Sequence, residues 1–496
     1  MYAEAVKMSE KKNSVASSFA YKFIERISVK FIGLVIGIIL ARLLDPDVFG
    51  LLTIITVFIN LAQTFVQSGL GIALVQNRST TRDDYSTVFY ISLAMATVFT
   101  VILFVAAPFI ADFYDSDQII WPLRAFSAAL FIGAMSSVQV AKLQREMKFN
   151  LMMRCNLTAT IVSGAAGIAA AYMGAGLWAL VIYHLAQMFI ASVAMFIVDR
   201  WHPELVFSKE RAKVLFGFGW KLLVSSLIAT LYVDLRALII GKKYSTEDLA
   251  YYNKGQQFPD MIANTIDVSI QSVMLPVMSA EQDNSRKVAE ITRKALSLSM
   301  FGVLPMMCGL AAVAETLIPL LLTEKWNASI PIMCIFCFSA MAFPIKTTNL
   351  SVIKALGRSD MFMRNEMVRR IVGVTILLIS VFVFDSVMAI AIGYLINAWI
   401  DAFIIICSSK KLIGAGFIKQ LSWSWKTAVS GFIMLACVYM MNGLDISRPL
   451  LLTIQIITGV VIYVLLSILL KNQSFTTILT KVKEFSAKKT KKVEGE

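Results

Sequence analysis

The chain has 496 residues, of which 58% are apolar and only 16% charged, with a mean hydropathy of +0.72. An average soluble domain carries roughly 25% charged residues, so this composition excludes a soluble globular enzyme. The formal net charge is +14, but the positive residues lie between apolar runs, and no nucleic-acid partner is expected.

A helix needs roughly 20 apolar residues to cross the hydrocarbon core. In chain order, apolar stretches predict spans at 19–41, 50–75, 87–110, 120–141, 154–173, 176–198, 214–240, 256–279, 295–322, 328–353, 366–384, 387–408, 427–442 and 450–470. The expectation is an all-α polytopic membrane protein with about fourteen transmembrane helices. Met1 to Ser18 is polar, and the first apolar run, Phe31 to Ala41, leads straight into Arg42 without a small-residue cleavage site. The first helix is therefore expected to be retained rather than cleaved as a signal.

That first helix carries Lys22, Arg26 and Lys30 at intervals of four, with Glu25 beside them. Such a basic face suits an anionic head group, although snorkelling anchors would look the same. The second helix adds Asn60, Gln63 and Gln67, the sixth a lone His184, and the seventh Lys221, Asp234 and Arg236. The eighth carries Gln256, Asp260, Asn264, Asp267 and Gln271, spaced to share one helical face. Polar groups inside a span are costly and normally face a cavity, so this stripe is expected to line a polar lumen. Lys346 and Asn349 extend it from the tenth helix, and Asn397 and Asp401 from the twelfth. Cys334 and Cys337 form C-x-x-C within an apolar helix, but no second Cys or His pair completes a zinc set. No metal site or catalytic constellation is expected.

Most of the 46 Lys and Arg fall in alternate connections: the N-terminus, the second, fourth, sixth, eighth, tenth and twelfth loops, and the tail beyond Lys471. Arg364, Arg369 and Arg370 are assigned to the tenth of these. The intervening loops, such as DFYDSDQ (112–118), are nearly free of positive charge, except around Lys242, Lys243 and Lys254. The alternation predicts an even span count with both termini cytoplasmic. The longest non-cytoplasmic loop is expected around 241–255. The lysine-rich tail is expected to lie against anionic membrane lipids.

A faint internal repeat pairs FAYKF (19–23) with FGWKL (218–222), and GLWALVIYHLAQMF (176–189) with SVMAIAIGYLINAW (386–399). It predicts two pseudo-symmetric six-helix bundles in parallel orientation. The expected divisions are 1–198 for the first bundle and 199–213 for a cytoplasmic linker. The second bundle then takes 214–408, two additional helices take 409–470, and a basic tail takes 471–496.

Five segments carry a family resemblance: LARLLDPDVFGLLTI (40–54), SVQVAKLQREMKF (137–149), YYNKGQQFPD (251–260), LLTEKWNASIP (321–331) and NLSVIKALGRSDMF (349–362). Together they resemble Wzx-type polysaccharide exporters of the colanic-acid-exporter branch. That branch lies within the multidrug/oligosaccharidyl-lipid/polysaccharide flippase superfamily. The resemblance implies fourteen helices in two bundles around a V-shaped cavity, working by alternating access. The implied cargo is an undecaprenyl-diphosphate-linked oligosaccharide moved across the bacterial inner membrane. Polysaccharide polymerase and other assembly proteins are its implied partners.

On that reading Arg26, Lys30 and Lys221 are the head-group candidates. Gln256, Asp260, Asn264, Asp267, Gln271, Lys346 and Asn349 are the cavity-lining candidates. The resemblance also allows coupling to a proton or sodium gradient, with Glu25, Asp234 and Asp267 as candidate carboxylates; no bound cofactor is implied. Two alternatives belong to the same superfamily: a peptidoglycan-precursor flippase and a drug/cation antiporter, the latter fitting a basic first helix poorly. A membrane glycan polymerase or ligase would need catalytic residues on a large external loop, which the sequence does not supply.

Overall fold

The computed structural model describes residues 28–67, 74, 81–199 and 201–480. Among them every regular element is helical. Eleven described helical stretches are long and apolar enough to cross a membrane. Helices at 28–43, Ser359–Phe382 and Trp425–Met440 occupy the other three expected spans. Large apolar side chains point outward along many of these helices: Phe109, Ile197, Phe382 and Leu469 are each more than 65% exposed. In water such surfaces would aggregate; in lipid they are the expected exterior. The chain is a multi-pass membrane protein.

The chain divides into two compact units, Met1–Ala250 and Tyr251–Glu496. The first contains α1 (28–43), α2 (Pro46–Gln67), α3 (Arg82–Phe113), α4 (Ile120–Arg145), α5 (Phe149–Tyr172), α6 (Leu177–Asp199) and α7 (Lys209–Lys243). It ends in the opening turn of α8 (Thr246–Ser279). Local sequence sets the helix ends. Thr81 caps α3: its hydroxyl accepts from the Asp84 amide, while the Asp84 carboxylate accepts from the Thr81 amide at 2.8 Å. This is a capping box. The pair α5 and α6 packs closely because α5 turns small residues inward. Gly164, Gly167, Ala170 and Ala171 are buried there, and a Cβ on Gly167 would lie 2.7 Å from that of Tyr183. Small residues let membrane helices approach when no hydrophobic force drives them together.

Two features of this unit differ from the sequence reading. The expected 241–255 loop is only the two residues between α7 and α8. Ser245 and Asp248 form their own reciprocal cap, with the Asp248 amide donating to the Ser245 hydroxyl at 2.9 Å and that hydroxyl donating to the Asp248 carboxylate at 2.8 Å. The polar stretch that follows is therefore helical, although hydropathy alone reads it as loop. The second feature is Lys242, an exception to the charge alternation. It pairs with Asp115 of the acidic 112–118 loop at 2.8 Å.

The expected 199–213 linker runs along the start of α3. Trp201 packs edge-on to Tyr85 and Phe89, and the amides of Glu204 and Ser208 donate to the hydroxyls of Ser86 and Thr87. Asp199 holds Lys142 of α4 at 2.8 Å.

The start of α8 rests on α2 at Gly50. A Cβ there would collide with the backbone carbonyl of Thr246, whose hydroxyl bonds Asp47. Gly50→Ala is expected to cost about 1–3 kcal/mol through overpacking against rigid backbone. A detergent melting curve reads this as a lowered transition. Gly37→Ala is the control, because nothing lies within 4 Å of a Cβ there.

The second unit contains the rest of α8, then α9 (Ser285–Ala312), α10 (Ala314–Leu322), α11 (Ser329–Ala340), α12 (Phe343–Ala355) and α13 (Ser359–Phe382). It continues with α14 (Val387–Ile413), α15 (Phe417–Ser422), α16 (Trp425–Met440), α17 (Arg448–Leu469) and a final short helix at 473–480. The expected 328–353 span is broken into α11 and α12, where Pro344 sits in the first turn of α12 and supplies no amide donor. α14 closes on Gly414 at φ +67°, the left-handed conformation a helix C-terminus favours.

Asn349 of α12 lies at the centre of this unit and is fully buried. It donates to Gln420 Oε1 of α15 at 2.7 Å and accepts from Gln420 Nε2 at 3.0 Å and from the Ser409 hydroxyl of α14 at 2.6 Å. This amide pair ties three helices. Asn349→Ala is expected to cost about 1–3 kcal/mol, because it strands the Gln420 amide in a dry site. Replacing Asn349 and Gln420 together by leucine should recover part of that loss in the same melt.

A polar cavity in the first unit

The helices α2, α3, α4, α6 and α7 enclose a cavity of about 630 Å³. A second void of about 430 Å³ lies between α2 and α7. Gln63, Thr64, Gln67 and Thr230 line both, so the two share a wall. Helical periodicity explains the lining. On α2, Asn60, Gln63, Thr64 and Gln67 fall on one face; on α7, Ser226, Thr230 and Asp234 recur every fourth residue. From α4 come Gly133, Ser136, Ser137 and Gln144, and from α6 comes Ser192.

Amides and hydroxyls make up most of the polar part of the lining, interleaved with Ile132, Val140, Met188 and Met195. Gln63 fits across α4 because position 133 is glycine; a Cβ there would lie 2.6 Å from Gln63 Nε2. The hydroxyls of Thr64 and Thr230 are 3.4 Å apart, bridging α2 and α7. Asp234 is half-buried, and its Oδ2 is enclosed without a donor. Among the described residues, Asp234 is the one charged group on either wall. Each amide and hydroxyl both donates and accepts. A wall of this kind suits an uncharged, many-hydroxyl ligand better than an ion.

The candidates named from sequence are distributed as follows. Glu25 and Arg26 lie outside the described residues. Lys30 is exposed at the start of α1. Lys221 lies on α7 and Asp267 on α8, their side chains outside the described set. In the second unit, Gln256 donates to Asp260 at 2.8 Å, so the first two members of the α8 stripe engage each other; Asn264 is exposed and Gln271 half-buried. Lys346 lies over the Phe343 ring at 4.8 Å. Asn349 is the interhelical tie already described.

The sequence reading recovered Asn60, Gln63, Gln67 and Asp234 as intramembrane polar groups. It passed over Ser136, Ser192, Ser226, Thr230 and Gln144, because serine and threonine are unremarked in apolar helices. It read Lys254 as a loop cation, whereas Lys254 is buried on α8 with its Nζ 5.5 Å from the Trp326 ring centre.

Arg369 and Arg370 were assigned to a cytoplasmic loop, and the structure corrects this. Both lie well inside α13. Arg369 reaches Asp401 of α14 at 2.9 Å and Glu366 at 3.0 Å, and Arg370 reaches Glu366 at 2.8 Å. A further cavity in the second unit, about 550 Å³, is of the opposite character to the polar one. It is lined by Pro305, Met306, Leu310, Met434, Val460 and their apolar neighbours.

Comparison with known proteins gives concordant results. The family described as polysaccharide biosynthesis protein matches residues 39–331. The chain is 24% identical to the teichuronic acid biosynthesis protein TuaB of Bacillus subtilis, over 85% of this chain and 88% of that protein. It is 24% identical to the lipopolysaccharide biosynthesis protein WzxC of Escherichia coli, over 79% and 80%. It is 21% identical to the succinoglycan biosynthesis transport protein ExoT of Rhizobium meliloti, over 78% and 74%. Among solved structures it resembles the lipid II flippase MurJ in an inward closed conformation. The TM-score is 0.73 at 13% identity, covering 90% of this chain and 99% of that one. An inward-facing multidrug transporter of the MATE family matches with a TM-score of 0.60 at 16% identity, over 78% and 94%. The fold is thus that of an all-helical transporter.

Proposed function

The chain belongs to the polysaccharide biosynthesis protein family, and on that footing we propose that it is a flippase for lipid-linked oligosaccharides in surface-polysaccharide export. The relatives' names, for teichuronic acid biosynthesis, lipopolysaccharide biosynthesis and succinoglycan biosynthesis transport, support a glycan cargo. The observation that carries the reading is the amide- and hydroxyl-lined cavity inside an otherwise apolar unit. Sugar hydroxyls leave water only if their hydrogen bonds are replaced, and this wall can replace them.

In the mechanism we propose, an undecaprenyl-diphosphate carrier presents its repeat unit from the cytoplasmic leaflet of a bacterial inner membrane. Both protein termini are on that side. The diphosphate cannot enter hydrocarbon unpaired, given the cost of burying charge. Arg26, Lys30 and Lys221 are the cations assigned to it. The glycan occupies the polar cavity of the first unit. The isoprenoid tail remains in the apolar phase. Alternating access, driven by a proton or sodium gradient, completes the transfer, and a polysaccharide polymerase takes the product.

The test uses cells that lack the gene but keep the rest of the glycan pathway. Lipid-linked repeat units should accumulate in a form protected from a periplasmic hydrolase, and restoring the gene should clear them. Units that remain fully hydrolysable without the gene, in cells lacking other flippases, would contradict the reading.

A further inference from the structure

Asp234 is the one charged side chain among the described lining of the polar cavities. A bound cation is held by several converging oxygens. Here the same void presents the amide groups of Asn60, Gln63 and Gln67 and the hydroxyls of Thr64 and Thr230. Each of these groups can turn either a donor or an oxygen toward the void. Asn60 on α2 and Asp234 on α7 line this same void. Asp234 Oδ2 still lacks a donor, and a buried acceptor left so is costly. Ala229 and Val233 add an apolar patch to the same void. A carboxylate, an amide and a small apolar patch on one void match one ligand chemistry: neighbouring hydroxyls on a sugar ring, with the C–H face against Val233.

Building on the flippase reading, we propose that Asp234 and Asn60 form a clamp for a vicinal hydroxyl pair on a neutral sugar of the cargo, and that Asp234 serves recognition rather than gradient coupling. The sugar seated there is neutral because a uronate would place a second carboxylate beside Asp234, and like charges in a site of low dielectric repel strongly. Gln63 and Thr230 also line the larger cavity, and the next sugar of the repeat is assigned there, among Ser136, Ser192 and Gln144.

The full-length protein, reconstituted in liposomes, is assayed with a synthetic undecaprenyl-diphosphate-linked neutral disaccharide, with and without an imposed proton or sodium gradient. In parallel, the free neutral disaccharide and its uronic-acid counterpart are tested for their effect on the melting temperature in detergent. Asp234→Asn keeps an acceptor oxygen in place and should flip within about threefold of wild type. Asp234→Ala and Asn60→Ala should lose about tenfold, with the loss concentrated at low substrate. The ratio of rates with and without gradient should be unchanged in all three, and the neutral disaccharide alone should raise the melting temperature in an Asp234-dependent way.

If Asp234→Asn is as inactive as Asp234→Ala and the gradient response disappears, Asp234 is a coupling carboxylate and the clamp is overturned. Equal flipping by all variants, or equal stabilisation by the uronic-acid disaccharide, overturns it too. If wild type binds the neutral sugar through Asp234 but moves no lipid, the flippase reading fails while the clamp stands.

Discussion

Asp401→Ala is expected to destabilise the second unit by about 3–5 kcal/mol, the usual cost of stranding one partner of a buried ion pair. The carboxylate and the Arg369 guanidinium meet at 2.9 Å with side-chain exposures of 11% and 13%. They lie deep within α13 and α14, which pack along each other. Without Asp401, Arg369 would keep Glu366, but Glu366 is also the carboxylate that Arg370 uses. One negative charge would then serve two guanidiniums. The paired substitution Arg369→Met with Asp401→Leu should be far milder, because removing both charges also removes the desolvation cost. Melting of the purified protein checks both. A double substitution as damaging as Asp401→Ala alone would mean that shape, not charge, holds these helices.

Ser136→Trp is expected to reduce lipid-linked oligosaccharide transport at least about 100-fold while leaving the fold intact. Ser136 sits on the α4 wall of the larger cavity, and its hydroxyl already bonds the Ile132 carbonyl. An indole at that position grows into the void rather than into packed core, so the cavity supplies the room and overpacking is limited. The space it takes is the space a sugar ring needs. Ser136→Ala keeps the void and removes one hydroxyl; it should cost no more than about tenfold, or 1.4 kcal/mol. Transport assayed in everted vesicles, with the melting temperature as the fold control, separates the two effects. Full transport by the tryptophan variant would place the glycan elsewhere.

The sequence carried the architecture well for a physical reason. Backbone polar groups in a bilayer must be satisfied within the segment, so long apolar runs become helices with little alternative. The runs that gave α3, α6 and α17 lie close to their expected places. Errors arose where polarity and helix coincide. The start of α8, TEDLAYYNKGQQ, is helical because Ser245 caps it and Glu247 and Asp248 suit a helix N-terminus, yet hydropathy scores it as loop. Arg369 and Arg370 were read as loop cations because a positive charge near a span end usually is one. Their partners Glu366 and Asp401 keep them inside instead.

The candidate site was only partly legible. Gln63 and Asn60 stood out as amides in an apolar helix. The serines of α4, α6 and α7 did not, since a membrane serine commonly does no more than bond its own helix, as Ser136 does. That Gly133 shapes the cavity by making room for Gln63 depends on α2 and α4 crossing at that level, which no local pattern encodes. Asn349 shows the converse. Its sequence context matched a lining residue, but its amide is consumed by Gln420 and Ser409.

The measurement that tests the central claim most directly is leaflet transfer by the purified protein. Proteoliposomes are loaded with undecaprenyl-diphosphate-linked oligosaccharide, and the fraction reachable by an added glycosidase is followed in time. The account predicts that wild-type protein makes the inner-leaflet pool reachable, that protein-free liposomes do not, and that Ser136→Trp behaves like the empty liposomes. Inner-leaflet pools that stay protected with correctly folded wild-type protein, under both proton and sodium gradients, would contradict it.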